Sequence, residues 1–359
     1  MRRSIIVAVV PFILLLLCGS INPQPQAGSG YDFSAVDKYI EQNMGAYNNH
    51  VAVLIMQNNK VIYRKEVNMT IKTNYGIASA SKWLSAAVIA ALIDEKKIAL
   101  DDTVGKFLPL YSKYGKGNIT IRQLFSHTAG FAGDEGAVQP LRQKFEYRPG
   151  LTLAQAADSI AIKTPLANKP GSVFNYGSTS MQIAGRIAEV VTGKNWQAIF
   201  DEKIGRPCQM QAVYKQLSTK NPLLAGGVTT SAADYINFLN MLANGGVFEG
   251  KQVLSETTVK LMMTDQTRGA LIKGTPFPAN PYATPPVRSV RYGLGNWLDV
   301  LNADGSVAES SSPGLFGTHP WQNPKQHLAG IIFTQTLPKR SQPVSLKIRQ
   351  MVREIVEKG

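Results

Sequence analysis

Ser79 and Lys82, three residues apart, are the pair in this chain whose chemistry is easiest to state. Positions i and i+3 of a helix share a face, so the two side chains can touch. A serine hydroxyl is a poor nucleophile until a neighbouring base takes its proton. A lysine in a dry setting gives up its own proton more easily, so its amine can be that base. The opening turn of a helix also directs free N–H groups and the positive dipole end at whatever lies there, which suits a developing oxyanion. The N–H of Ser79 itself could be one such donor. A Ser-x-x-Lys spacing also arises by chance, so it needs support from the rest of the chain.

The elements around the pair give that support. From Ser81 to Ile93 the chain is helix-forming and apolar almost all round, through Trp83, Leu84, Ala86, Ala87, Val88, Ile89 and Leu92. A helix without a polar face belongs in the middle of a domain, so Ser79 and Lys82 are expected on its first turn. Upstream, Phe33 to Tyr47 reads as a helix. Val51–Met56 and Val61–Val67, joined through Asn58-Asn59, read as a hairpin. Downstream come short helical pieces near Asp101–Val104 and Asn118–Phe125. Next is a helix from Met181 to Val191 closed by Gly193, and another opened by the Ser231/Asp234 spacing and stopped by Gly245-Gly246. Five prolines between residues 274 and 286 predict a long loop at the edge of a binding site. Strand-like runs follow at Tyr292–Val300, Gly314–Trp321 and His327–Thr334, and a last helix from about Pro343. Strands near both ends and helices between predict one antiparallel sheet flanked by helices, with a mostly helical insertion over roughly residues 97–285.

The chain has 359 residues, 44% hydrophobic and 17% charged, which is ordinary for a globular protein. Met1-Arg2-Arg3 followed by the apolar run Ile5–Leu17 reads as an export signal, shorter than a membrane-spanning helix requires. Two endings stay open: cleavage near Ala27, giving a signal over 1–27, or a lipoprotein signal at Cys18, which would attach the protein to a membrane. The expected location is periplasmic or secreted, with residues 28–359 forming a single domain. Cys18 and Cys208 are the two cysteines, so no disulfide framework is expected. The net charge of +14 is scattered, without a dense basic block or nucleic-acid motif, which argues against a nucleic-acid partner. No G-x-S-x-G elbow, H-E-x-x-H or Cys/His cluster is present, so neither an α/β-hydrolase triad nor a metal centre is expected.

Taken together, Ser79-Ala80-Ser81-Lys82, Asp101-Asp102-Thr103-Val104, the stretch Ile121 to Gly130 with His127-Thr128-Ala129-Gly130, and Gly226 to Tyr235 resemble the serine β-lactamase and penicillin-binding-protein superfamily. The branch is that of class C β-lactamases, D-Ala-D-Ala carboxypeptidases and family VIII esterases. The likeness spans roughly Asp32 to Thr336. It implies a β-lactamase/transpeptidase-like α/β (α+β) fold with the site in a cleft between sheet and helical subdomain. It also implies acyl transfer through an acyl-serine, without cofactor or metal.

The resemblance carries over residue by residue. Tyr176 stands at the tyrosine of the second motif, Tyr-x-Asn, and implies a proton relay with Ser79 and Lys82; a phenol beside an ammonium is also expected to ionise more easily. Ser178 stands where the motif has Asn, which alters recognition of a substrate amide. The third motif, a cation, a small residue and Gly on a strand, aligns with Ser312-Pro313-Gly314. Ser312 has no charge to hold a substrate carboxylate. Gly314 would allow close approach of substrate, and the N–H of Leu315 would join that of Ser79 as oxyanion donor. His319 could point into the site and replace the missing cation, though only when protonated. His127 sits in a turn of the family and reads as structural. The expected substrates are small esters or amides, with esters favoured. A β-lactamase or a D-Ala-D-Ala carboxypeptidase or D-aminopeptidase is the first alternative, and a protein that acylates without turnover is the second.

Overall fold

α1 (Ser34–Gln42) opens the described chain. The single helix expected from Phe33 to Tyr47 breaks at Asn43 and resumes as a 3-10 turn over Met44–Tyr47. β1 (Val51–Gln57) and β2 (Lys60–Val67) then pair antiparallel. Asn58 and Asn59 both take positive φ, 49° and 64°, as a two-residue hairpin turn requires. The computed structural model describes residues 30–134, 141–276 and 290–359. The export segment with Cys18 and Ala27, and the prolines beyond Pro276, lie outside the described residues.

β3 (Tyr75–Gly76) leads through a 3-10 turn at Ala78–Ala80 into α2 (Ser81–Asp94), whose side chains from Ser81 to Leu92 are all buried. The helix begins at Ser81, where its apolar run was expected to start, with Lys82 in its first turn and Ser79 on the tighter turn just before it. α3 (Val104–Phe107), α4 (Pro109–Lys113) and α5 (Ile121–Phe125) are short. α5, like α6 (Leu153–Lys163), starts on a full capping box, Thr120/Gln123 and Thr152/Gln155 respectively. β4 (Val173–Asn175) precedes α7 (Thr179–Thr192), which Gly193 closes at φ 69°. α8 (Trp196–Phe200), β5 (Ala212–Tyr214) and β6 (Val228–Thr230) follow. In α9 (Ala232–Ala243) the Ser231 side chain accepts from the Asp234 N–H. β7 (Val247–Phe248), β8 (Lys251–Gln252), α10 (Glu256–Met262) and β9 (Leu271–Gly274) complete the middle. Helices dominate this middle, with short strands among them: β5 and β6 form a small sheet with β3, and β4 pairs parallel with β9.

β10 (Trp297–Leu301), β11 (Val307–Ser311), β12 (His319–Asn323) and β13 (Leu328–Phe333) return to the first hairpin. The result is the expected antiparallel sheet, in the order β10-β11-β12-β13-β1-β2. Two readings change here. β11 was not foreseen, and the strand expected from Gly314 begins only at His319, residues 314–318 forming the turn between β11 and β12. α11 (Pro338–Lys358) starts five residues earlier than Pro343, which lies inside it.

The alternation of β1 explains the layering. Val51, Val53 and Ile55 pack with Ile348 and Val352 of α11 and Val36 and Ile40 of α1. Ala52 and Leu54 face the larger core around α2 and α9. Burial on both faces is why this strand reads as an unbroken apolar run.

Candidate active site

The turn that carries Ser79 is pinned from several sides. Ile77 N–H donates to Val228 O at 3.0 Å, and the Tyr235 hydroxyl donates to Ala80 O at 2.8 Å. Ser81 Oγ donates to Ala78 O at 2.7 Å and accepts from Val228 N–H at 3.1 Å. From the end of the sheet, Gln335 Nε2 donates to Gly76 O at 2.9 Å. Within this frame Ala78 takes φ 45°, a left-handed conformation that costs a non-glycine residue roughly 1–2 kcal/mol. The surrounding hydrogen bonds hold that strain directly beside the nucleophile candidate.

Lys82 Nζ donates to Ser79 Oγ at 3.1 Å and to Ala225 O at 2.8 Å. Burial lowers the lysine to about 7; Asp134 opposes the shift and Lys144 adds to it. The Tyr176 hydroxyl is hydrogen-bonded to the Ser79 side chain, and Lys82 Nζ stands 4.6 Å from the Tyr176 ring centroid. The three side chains therefore meet. One expectation is reversed: burial raises the Tyr176 phenol well above its ordinary value, outweighing the bond to Ser79. The ring is held by Trp297, stacked at 5.1 Å, and by His127 at 4.7 Å. His127 is buried, accepts weakly from Gly177 N–H at 3.4 Å, and is kept neutral by burial and by nearby Lys82, in keeping with a structural part.

Behind Tyr176 lies a group of buried charges that no motif announced. Asp134 Oδ1 accepts from Thr179 N–H at 2.8 Å, and its Oδ2 accepts from the Ser180 hydroxyl. Burial raises Asp134 to about 6. Glu146 Oε1 accepts from the hydroxyls of Ser178 and Thr179, both at 2.7 Å. Lys144 Nζ donates to Gly133 O at 2.5 Å. Gly177 fits against this group because any side chain would strike Asp134: an added Cβ would lie 2.3 Å from Oδ1.

The opposite wall is the β11–β12 turn. Gly314 lies so close to the Ser79 turn that a Cβ there would fall 2.1 Å from Ile77 O. Its own N–H donates to Thr318 O at 2.8 Å, closing the turn and carrying the exposed Leu315 past the nucleophile. A cavity of 570 Å³ opens here, lined by Ser79, Tyr176, Pro313, Leu315, Thr318, His319, and Pro338 and Lys339 of α11. Pro276, from the proline-rich stretch, is also on its rim. A larger hollow of 870 Å³ lies between α10 and the β10–β11 turn and touches none of the three meeting side chains. Among the described residues no group of three or more His, Cys, Asp or Glu is placed to hold a metal ion.

A sequence model of the family called Beta-lactamase matches residues 36–350. The chain belongs to the beta-lactamase family. A solved structure titled "putative beta-lactamase" from Bacteroides dorei is 31% identical, with TM-score 0.78, covering 91% of this chain and 99% of that one. A relative named "Putative D-alanyl-D-alanine carboxypeptidase" from Escherichia coli is 27% identical over 222 residues, 53% of this chain and 48% of its own. The fold alone is shared with a structure titled "EstCE1, a hydrolase with promiscuous acyltransferase activity", at TM-score 0.70, 19% identity, and 88% and 99% coverage. The architecture is thus the β-lactamase/transpeptidase-like fold, in a family with hydrolases among its relatives.

Against this family's pattern, Ser79, Lys82 and Tyr176 come together, and Gly314 and Leu315 sit beside them. Three other expectations need correction. The Ser178 hydroxyl is committed to buried Glu146 and does not line the cavity. Ser312 Oγ donates to Gly295 O at 3.0 Å and weakly to Ser79 O at 3.4 Å, so it braces the nucleophile's backbone from behind. His319 does line the cavity, but burial and Arg349 hold its imidazole well below its ordinary value, so it stays neutral and does not replace a cation. Reading the chain alone also missed that Val228 and Tyr235 grip the Ser79 turn. These hydrogen bonds are the physical role of the Gly226–Tyr235 stretch.

Proposed function

We propose that the protein is a serine hydrolase that cleaves small, uncharged esters through an acyl-Ser79 intermediate. The observation carrying this is the contact of Lys82 Nζ with Ser79 Oγ at 3.1 Å by an amine whose burial lowers it to about 7. At neutral pH much of that amine is free to accept a proton. Ser79 Oγ attacks the carbonyl carbon and its proton passes to Lys82. The N–H groups of Ser79 and Leu315 receive the oxyanion. Tyr176, kept protonated by burial, passes a proton to the departing alcohol and is refilled from Lys82. Water then attacks the acyl-serine, Lys82 takes its proton, and the acid leaves as Ser79 regains its hydrogen.

The preference for uncharged esters follows from the cavity wall. Pro276, Pro313, Leu315 and Pro338 make it apolar, Ser312 carries no charge, and His319 is neutral. The Thr318 hydroxyl, buried without a partner, offers a substrate one polar contact. A second reading, hydrolysis of β-lactams or D-alanyl peptides, is favoured by Lys339, a cation on the cavity rim, and by the relative named as a carboxypeptidase. Export rests on Arg2, Arg3 and the Ile5–Leu17 run; recovery of the expressed chain in a periplasmic fraction tests it. The activity is tested by p-nitrophenyl butyrate and nitrocefin turnover, with mass spectrometry after fluorophosphonate treatment. Ester turnover with a single adduct on Ser79, both lost in Ser79→Ala, is expected. Turnover that survives Ser79→Ala overturns the proposal, and turnover of nitrocefin alone selects the second reading.

A further inference from the structure

We propose that the hairpin turn from Tyr292 to Trp297 sets the register of the three meeting side chains, with Gly295, Ser312 and Trp297 as positioning residues that act on Lys82, Ser79 and Tyr176 respectively. The inference rests on the reading of Ser79 as nucleophile and Lys82 as base.

The three groups arrive from separate elements. Ser79 stands on the 3-10 turn before α2, Lys82 in the first turn of α2, and Tyr176 between β4 and α7. Proton passage among them tolerates little misplacement, since a shift of about 1 Å at a reacting group can cost on the order of a hundredfold in rate. One short segment touches all three. Tyr292 and Trp297 face each other across a tight turn, closed by Gly293 N–H donating to Asn296 O at 2.9 Å, and Trp297 opens β10.

At the tip of the turn, Gly295 lies against the backbone of Lys82. A Cβ added there would fall 2.4 Å from Lys82 O and 2.8 Å from Ala86 Cβ. Its φ of 75° is one that glycine takes freely. The carbonyl of the same residue accepts from Ser312 Oγ at 3.0 Å, and that hydroxyl also donates weakly to Ser79 O at 3.4 Å. A single hydroxyl therefore ties the turn to the residue that carries the nucleophile. At one end of the turn Trp297 stacks on the Tyr176 ring at 5.1 Å, and at the other Tyr292 meets that ring edge-on at 6.0 Å.

The turn is itself fastened to α10. Leu294 N–H donates to Met262 O at 3.0 Å. The Asn296 amide, oriented to suit its neighbours, donates to Met262 O at 3.0 Å and to Leu294 O at 2.9 Å. Leu294 and Asn296 are buried, so the segment is locked by packing as well as by hydrogen bonds, as precise support of reacting groups requires. Gly295, Ser312 and Trp297 are absent from the described residues that line the 570 Å³ cavity. They touch the catalytic groups from behind and leave the substrate to others.

The test follows p-nitrophenyl butyrate turnover and the rate of Ser79 labelling by a fluorophosphonate from about pH 5 to about pH 10, with mass spectrometry counting the labelled fraction. In the native protein the labelling rate climbs with pH to a plateau as the Lys82 amine loses its proton. Ser312→Ala and Trp297→Leu should each lower kcat and the labelling plateau by about tenfold, with KM and the pH midpoint held and every folded chain labelled in the end. Ser312→Thr and Trp297→Phe, which keep the hydroxyl and the stacked ring, should recover most of the rate. Gly295→Ala, which pushes on Lys82, should cost about a hundredfold; should it not fold, the other two pairs decide. Rates within about twofold of native in either Ser312→Ala or Trp297→Leu overturn the inference. So does a loss carried by KM, by a moved midpoint or only by fewer labelled chains, and so does a loss that the conservative variants fail to restore. Absence of Ser79 labelling in the native protein sinks the underlying assignment of Ser79 instead, a different outcome from unchanged rates in the variants.

Discussion

The two walls of the cleft handle charge in opposite ways. The helical wall places Lys82, Asp134, Lys144 and Glu146 in the interior near Tyr176, each with hydrogen-bond partners. The sheet wall shows the cavity Pro313, Thr318 and a neutral His319, and seals its ions one layer deeper. There Arg349 joins Asp299 at 2.8 Å and Glu309 at 2.7 Å, with Arg353 at 3.1 Å from Glu309. The contrast separates two tasks. On the proposed mechanism, proton handling falls to the helical wall, and substrate contact to the sheet wall, whose neutral surface imposes shape more than charge.

Substitutions on either wall can break or sharpen this division. Lys82→Ala removes the base and should lower kcat/KM for p-nitrophenyl butyrate by about a thousandfold; a loss below tenfold would move the proton work elsewhere. Arg349→Met takes the paired cation from buried Asp299 and leaves Glu309 with Arg353, at a cost of about 3–5 kcal/mol in urea or thermal unfolding. Its folded fraction should still label at Ser79 with the native pH midpoint, because the ion cluster is structural; a moved midpoint would show that the sheet ions tune the base. On the proposed mechanism Lys82 works as the free amine, so kcat/KM of the native protein should rise with pH and level off above about 7. Below that midpoint the slope should be about tenfold per pH unit. Tyr176, raised by burial, should add no falling limb in the neutral range, and a steep loss just above neutrality would contradict that. The smallest effect belongs to Lys339→Ala. Lys339 is exposed and screened, so turnover of a carboxylate-bearing substrate should fall only a few-fold and ester turnover should hold. A loss much above tenfold, confined to the anionic substrate, would make the rim an anion anchor and favour the second reading.

What the sequence revealed follows the range of the interactions involved. The β1–β2 hairpin and α2 depend on local pattern and turn residues, so they could be read directly. Ser79, Lys82 and Tyr176 could be read because they stand in short stretches of characteristic composition. β11 could not, because Glu309, Ser310 and Ser311 are polar and fully buried. They become a core strand only through α11, whose Arg349 pairs with Glu309 forty positions later. The charged group at Asp134, Lys144 and Glu146 was hidden for the same reason, since nothing in its spacing announces burial. Ser178 was read by its place in a motif, and its hydroxyl went instead to Glu146, 32 residues away in sequence. The protonation states of His319 and Tyr176 were set by desolvation, a property of the finished interior.

The pairing of β1 with β13, Ala52 opposite Phe333, has a consequence for how the protein is made. Inside the sheet, the first and last strands of the described residues lie side by side. The β13 partner of β1, the Gln335 bond that steadies Gly76, and the α11 residues on the cavity rim are all synthesised long after β1, Gln335 following Gly76 by 259 positions. A chain that stops short of β13 therefore lacks the α11 side of the cavity, and it carries the bare apolar edge of β1. Such long-range closure is slow and exposed to aggregation. Ribosome-stalled chains that stop short of β13 should bind a holdase chaperone and give no fluorophosphonate adduct.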